Sequence, residues 1–142
     1  MPTLKTYDLF ISHAWKYGDD YDRLTKLLDN APYFYYRNYS APSHKPLQNL
    51  NATDAQTKSQ IKSAIDRKIQ HVNAVIIISG MYYTNRYWMQ YELDCAIKYK
   101  KPIIALKPYG NSVVPADILS KANAVVNWST DSIVTVIRQV SI

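Results

Sequence analysis

A single cysteine, Cys95, cannot close an internal disulfide, and without a CxxC pair or a Cys/His cluster the chain has no frame for a structural metal. A reducing compartment, and so a cytoplasmic address, is the expectation. Residues 1–5 carry no basic-then-apolar leader, and the longest apolar runs are strand-sized, far short of the ~20 residues that span a bilayer. No membrane partner is expected. Three glycines leave no room for a GxGxxG or GxxxxGK[ST] loop, which removes two backbone-cradled modes of phosphate binding. His13, His44 and His71 lack metal-ligand spacing, and no GxSxG elbow supports a serine hydrolase. Neither a metal nor a tightly bound cofactor is expected. The formal charge of +6 attracts anions, but the lysines are scattered and no arginine-rich run or RNP-type motif is present. A phosphate-bearing small molecule is compatible with that charge; a nucleic-acid partner is not expected.

What the chain does hold is enough for a core, since 47% of its residues are hydrophobic and 20% charged, and no linker divides it. One domain over residues 1–142 is expected. Residues 7–12 are nearly all apolar and read as a first strand, followed by a helix capped at Asp19 and Asp20 that turns Tyr21, Leu24, Leu27 and Leu28 inward. Residues 34–39 read as an aromatic strand and 40–51, with Pro42 and Pro46, as a long loop. Thr53 or Asp54 can cap an amphipathic helix with Ile61, Ile65, Ile69 and Val72 on one face, Lys58, Lys62 and Lys68 falling largely elsewhere. His71 is placed to cap its end, while His44 sits in the long loop. Residues 74–78 form a β-branched run that stops at Ser79-Gly80, the pattern of a strand buried on both faces. A helix from Asn85 to Tyr99 ends in lysines and is cut off by Pro102. Strands at 102–106 and 124–128 and a last helix at 130–140, with Ile133, Val134 and Ile137 inward, complete an α/β alternation.

Ligands of open parallel sheets bind outside the carboxyl ends of the strands. That rule selects Ser12, His13, Ala14 and Trp15, then Asn38, Tyr39 and Ser40, then Ser79 and Gly80, then Lys107 and Pro108. Glu92 is the only glutamate beside ten aspartates. At ~100° per residue it shares a helix side with Trp88, Met89, Leu93, Ala96 and Tyr99, whereas Gln90, Asp94 and Lys98 point away. A carboxylate on an apolar face loses hydration, and its pKa rises unless a partner compensates. Two readings stay open for Glu92, a ligand-binding or catalytic carboxylate and a core-edge group satisfied by a backbone amide or an arginine.

Tyr7-Asp8-Leu9-Phe10-Ile11-Ser12-His13 resembles the first strand of a TIR domain, and Trp88-Met89-Gln90-Tyr91-Glu92-Leu93 resembles the WxxxE helix of that family. With Asn38-Tyr39-Ser40-Ala41-Pro42 and the short length, the chain looks closest to the bacterial TIR-like branch that includes the TIR subunit of Thoeris antiphage systems. The resemblance spans almost the whole chain. It implies a flavodoxin-like three-layer α/β fold with a central, mostly parallel five-stranded sheet, and an enzyme that consumes NAD as substrate. Glu92 would then contact the nicotinamide ribose, Trp88 would wall the pocket, and Phe10, Ser12, His13, Trp15, Asn38, Ser40 and Ser79 would lie where the family binds the dinucleotide. The implied product is ADP-ribose or, preferred here, a cyclic isomer acting as an antiphage signal on a separate effector protein. Assembly into a homo-oligomer through TIR–TIR contacts is a further implication. The chain departs from animal TIR adaptors in lacking an acidic-Pro-Gly loop, and residues 107–123 leave room for only a short helix.

Three rival readings stand beside this one. A non-enzymatic TIR-like interaction module would use Glu92 only to brace the fold. A nucleoside deoxyribosyltransferase-like enzyme uses a glutamate on the same architecture. A phosphoacceptor receiver needs an aspartate at the end of the third strand, where this chain has Ser79.

Overall fold

The computed structural model describes residues 5–13, 20–40, 55–107 and 113–142, with 55–58 and 83–85 described by their backbone alone. Strand β1 (Thr6–Ser12) is followed by α1 (Asp20–Asp29), β2 (Tyr35–Asn38), α2 (Ala55–Gln70), β3 (Ala74–Ile78), α3 (Arg86–Lys98), β4 (Ile103–Leu106), α4 (Ala116–Leu119), β5 (Ala124–Val126) and α5 (Thr130–Val140). The five strands form one sheet in the order β2-β1-β3-β4-β5. Every neighbouring pair is parallel, so the sheet is wholly rather than mostly so.

The hydrophobic pattern explains the layout. All five residues of β3 and all four of β4 are buried, as uninterrupted apolar strands must be when helices cover both faces. Edge strand β2 has one half-buried residue among three exposed ones, and it is shorter than its aromatic sequence suggests because Phe34 drops into the core before the pairing begins. Strand β5, the other edge, likewise keeps only three paired residues. The chain steps one way from β1 to β2 and the other way from β2 to β3. Right-handed crossovers therefore put α1 and α2 on opposite faces, and the direction reverses between β1 and β3. Packing agrees, since α1 meets α5 and α2 meets α3. Among the described residues no helix is long and apolar enough to cross a membrane.

One feature differs from the sequence pattern. Ser79–Asn85 is a 3-10 segment that runs straight into α3, so the helix has no free N-terminus at Asn85. The expected caps at Asp19, Thr53 and Asp54, and residues 41–51 of the long loop, lie outside the described residues. The short α4 fits the limited space foreseen between Lys107 and Asn123. His71 does close α2, its Nδ1 donating to the Arg67 carbonyl at 2.7 Å.

The end of α3 is also unusual for its residue type. The amide of Lys101 donates to Ala96 O at 2.8 Å and that of Lys100 to Ile97 O at 3.1 Å, a paired closure that needs a left-handed residue at position 100. Lys100 supplies it at φ 58°, where glycine is the usual occupant. Lys100→Gly is expected to raise unfolding stability by about 1 kcal/mol by removing the Cβ conflict. Urea titration checks this, and an unchanged or lowered midpoint would contradict it.

Helices α2 and α3 are held together by a carboxylate. Asp66 on α2 accepts from Tyr91 Oη at 2.5 Å, from Cys95 Sγ at 3.0 Å and from Tyr99 Oη at 3.0 Å, and Lys98 Nζ lies 3.8 Å away. Burial alone would raise the Asp66 pKa, but these three donors and the ammonium outweigh it and hold the group below its ordinary value. Burial first, and then the Asp66 carboxylate, push the Cys95 thiol up to about 12, against the opposing pull of Tyr91 and Lys98. This lock fixes the helix that carries Glu92.

Candidate active site

Glu92 lies midway along α3, on a side where Trp88, Met89, Leu93 and Ala96 are buried while Asp94 and Lys98 are exposed. The carboxyl is partly buried and reaches the end of β1, where the Ser12 hydroxyl donates to Oε1 at 2.7 Å. Ser12 itself is fully buried. Among the described residues this is the one hydrogen bond that Glu92 makes. Burial pushes its pKa up to about 8, against the opposing pull of the Ser12 hydrogen bond and the positive field of Lys68. Lys68, on α2, is partly buried too, and desolvation draws its pKa down while Glu92 supports its charge.

A second polar group forms around α1. The His13 ring stacks on Tyr21 with centroids 3.9 Å apart, and its Nδ1 lies 2.8 Å from the Ile11 carbonyl. Asn38 Nδ2 donates to Tyr21 Oη at 2.6 Å. Asn38 Oδ1 accepts from the Ser40 amide at 3.0 Å and from the Ser40 hydroxyl, a side-chain turn that fixes the chain as it leaves β2. Ser40 Oγ also lies 3.4 Å from Tyr21 Oη.

The residues singled out in the sequence therefore divide. Ser12 and Glu92 meet on the α3 side, while His13, Asn38 and Ser40 meet on the α1 side, as successive residues at a strand end point to opposite faces. Ser79 directly follows β3, its hydroxyl buried and without a hydrogen-bond partner among the described residues. Phe10 is a core residue inside β1, paired with Val75. Trp88 is buried, and its ring contacts are edge-on to Tyr87 and Tyr91, at 5.0 and 6.3 Å between centroids. Trp15 lies outside the described residues.

Two members of these groups were not among the sequence candidates. Tyr21 had the pattern of a core residue, and only its hydroxyl links it to the polar group. Lys68 was set off the apolar face of α2, yet it stands seven residues after Ile61 and three after Ile65, the spacing of the buried stripe. That periodicity was the available signal.

The sequence model of the Thoeris protein ThsB, TIR-like domain, matches residues 10–112. The chain belongs to this family. The matched part of the TIR-like domain contains Ser12, Lys68 and Glu92 together with the α1-side group. A solved 2-deoxyribosyltransferase from the psychrotolerant bacterium Bacillus psychrosaccharolyticus has a similar fold, with a TM-score of 0.58 at 11% identity over 83% of this chain and 84% of that one. A comparison with curated proteins finds no match.

Proposed function

We propose that this TIR-like domain cleaves the nicotinamide–ribose bond of NAD, with Glu92 as the carboxylate beside the anomeric carbon. The observation that carries the reading is the lone glutamate of the chain, poorly hydrated at the carboxyl edge of a parallel sheet and tied by one oxygen to Ser12. As the C1′–N bond breaks, its electron pair passes to the cationic nicotinamide ring, which leaves neutral. The ribosyl fragment gains oxocarbenium character that a poorly solvated carboxylate stabilises. No strong general acid is needed. Substrate charge favours the ionised form of Glu92, so binding drives its proton off. Capture by water, which then sheds a proton, gives ADP-ribose. Capture by a nucleophilic atom of the same substrate gives a cyclic isomer, and this is the preferred outcome, with a separate effector protein as the reader of the signal.

The test is incubation of concentrated protein with NAD beside Glu92→Gln, resolving nicotinamide and every adenine-containing product by chromatography and mass spectrometry. Nicotinamide release that falls at least ~10³-fold in the variant is expected. Folded wild-type protein that stays silent, even when crowded into assemblies, would favour a non-enzymatic interaction module. Deoxyribosyl transfer is a second reading, favoured by the placement of a glutamate on the architecture shared with the 2-deoxyribosyltransferase. A fluorinated nucleoside that labels Glu92 covalently would select it.

A further inference from the structure

Helices α2 and α3 leave a cleft of about 570 Å³, lined by Lys62, Arg86, Tyr87, Gln90, Tyr91 and Asp94. Gln90 and Asp94 place it on the side of α3 that turns away from Glu92. Its central cation is Lys62. Four residues further along α2 stands Asp66, the ordinary helical partner for such a lysine. Asp66 is already engaged by Tyr91, Cys95 and Tyr99 of α3, with Lys98 as its nearest cation. Asp94, the other carboxylate of the cleft, is held by Lys121 at 3.2 Å and Gln90 at 3.0 Å. Lys62 is thus left with no carboxylate in ion-pair range among the described residues. Its ammonium instead lies over the rings of Tyr87 and Tyr91, 5.5 and 5.2 Å from their centroids. The second cation, Arg86, stands at the exposed rim, paired with Asp117 at 3.3 Å with both side chains largely in water.

We infer that this cleft is a second ligand site, separate from Glu92, which takes a ring-bearing phosphate monoester of mononucleotide size. Three features specify that chemistry. An ammonium with no counter-ion among the described residues accepts an anion without first giving up one of those carboxylates, and Arg86 can add a forked donor by exchanging a weak solvated pair. Two tyrosines give an apolar wall, while the Gln90 amide, which already accepts from Tyr82 and donates to Asp94, keeps its second N–H and second lone pair for a ring edge. The volume lies within the range of about 300–1,000 Å³ usual for small-molecule pockets. Inorganic phosphate alone would satisfy the cations and leave the wall bare, so it should bind more weakly.

The experiment is a two-dimensional amide NMR titration of the full chain with AMP, and separately with inorganic phosphate, on wild type, Lys62→Gln and Glu92→Gln. AMP is expected to shift amides of residues 62, 86–91 and 94, with affinity reduced at least about tenfold in Lys62→Gln and unchanged in Glu92→Gln. Amide spectra of the unliganded variants show that each is folded. Three results would overturn the inference: no shifts at millimolar AMP, equal affinity for phosphate and AMP, or binding lost in Glu92→Gln and kept in Lys62→Gln. None of these depends on turnover of NAD, so the site stands or falls apart from the reaction proposed for Glu92.

Discussion

Glu92→Gln is expected to be more stable than the wild-type protein at pH 8, and no more stable than it at pH 4. The Glu92 carboxyl has a folded-state pKa raised to about 8 from 4.5, mainly by burial. Below 4.5 both folded and unfolded states hold the proton, and the group favours neither. Between 4.5 and 8 the unfolded chain releases its proton while the folded chain keeps it, so wild-type stability falls with rising pH and levels off above 8. Glutamine removes that slope and can still accept from Ser12. Allowing for partial contact with water, the gain at pH 8 is on the order of 2 kcal/mol, or ~5 °C in Tm for a chain of this size. Activity should move the opposite way. If the carboxylate is the working form, kcat/KM for NAD rises with pH around a midpoint of about 8. Ser12→Ala, which deletes the one hydrogen bond among the described residues that favours the charged form, should move that midpoint upward. Because the chain holds a single glutamate, protein labelled with 13C-glutamate gives one carboxyl signal whose titration reads the pKa directly. A midpoint near 4.5, unmoved by Ser12→Ala, would refute the desolvated site.

Asp66→Ala should be among the most damaging single substitutions in the described core. It leaves the Tyr91 and Tyr99 hydroxyls and the Cys95 thiol without the acceptor they share. At about 1 kcal/mol per lost hydrogen bond, with a charged acceptor at the upper end, the cost is about 3 kcal/mol. The pH dependence has the reverse sign to that of Glu92. Asp66 is held below its ordinary value of 3.8, so its stabilisation is present above that pH and disappears as pH falls through the folded pKa. Denaturant unfolding at pH 7 and pH 3 tests both parts. A loss below ~1 kcal/mol at pH 7, or the same loss at both pH values, would show that the lock contributes little.

Hydrophobic periodicity carried most of the architecture. The boundaries of β3 and α5 are those of the sequence pattern, because a β-branched run ending at Ser79-Gly80 and a capped stripe of Ile133, Val134 and Ile137 each permit one solution. Edge strands were less legible, since Phe34 and Trp128 have strand-forming side chains but pairing at an edge depends on one neighbour only. The side of α3 that carries Glu92 followed from helical angles alone. Its hydrogen bond to Ser12 did not, because it joins residues 80 apart in sequence and depends on where α3 docks against β1. The role of Tyr21 was hidden for a similar reason: an inward aromatic reads as core until its hydroxyl has a neighbour. Asp66 carried no signal that singled it out in the sequence, and only the docking of α3 makes it a shared acceptor.

The state of Cys95 makes the protein its own reporter of opening. Only 3% exposed and with its thiol pushed up to about 12, this sole cysteine offers thiol reagents almost no thiolate while α2 and α3 stay together. Reaction must wait for the helices to part, so the labelling rate under native conditions measures how often that happens. A cysteine introduced at an exposed position could then carry a dye or spin label on the intact fold with little competition from the native thiol.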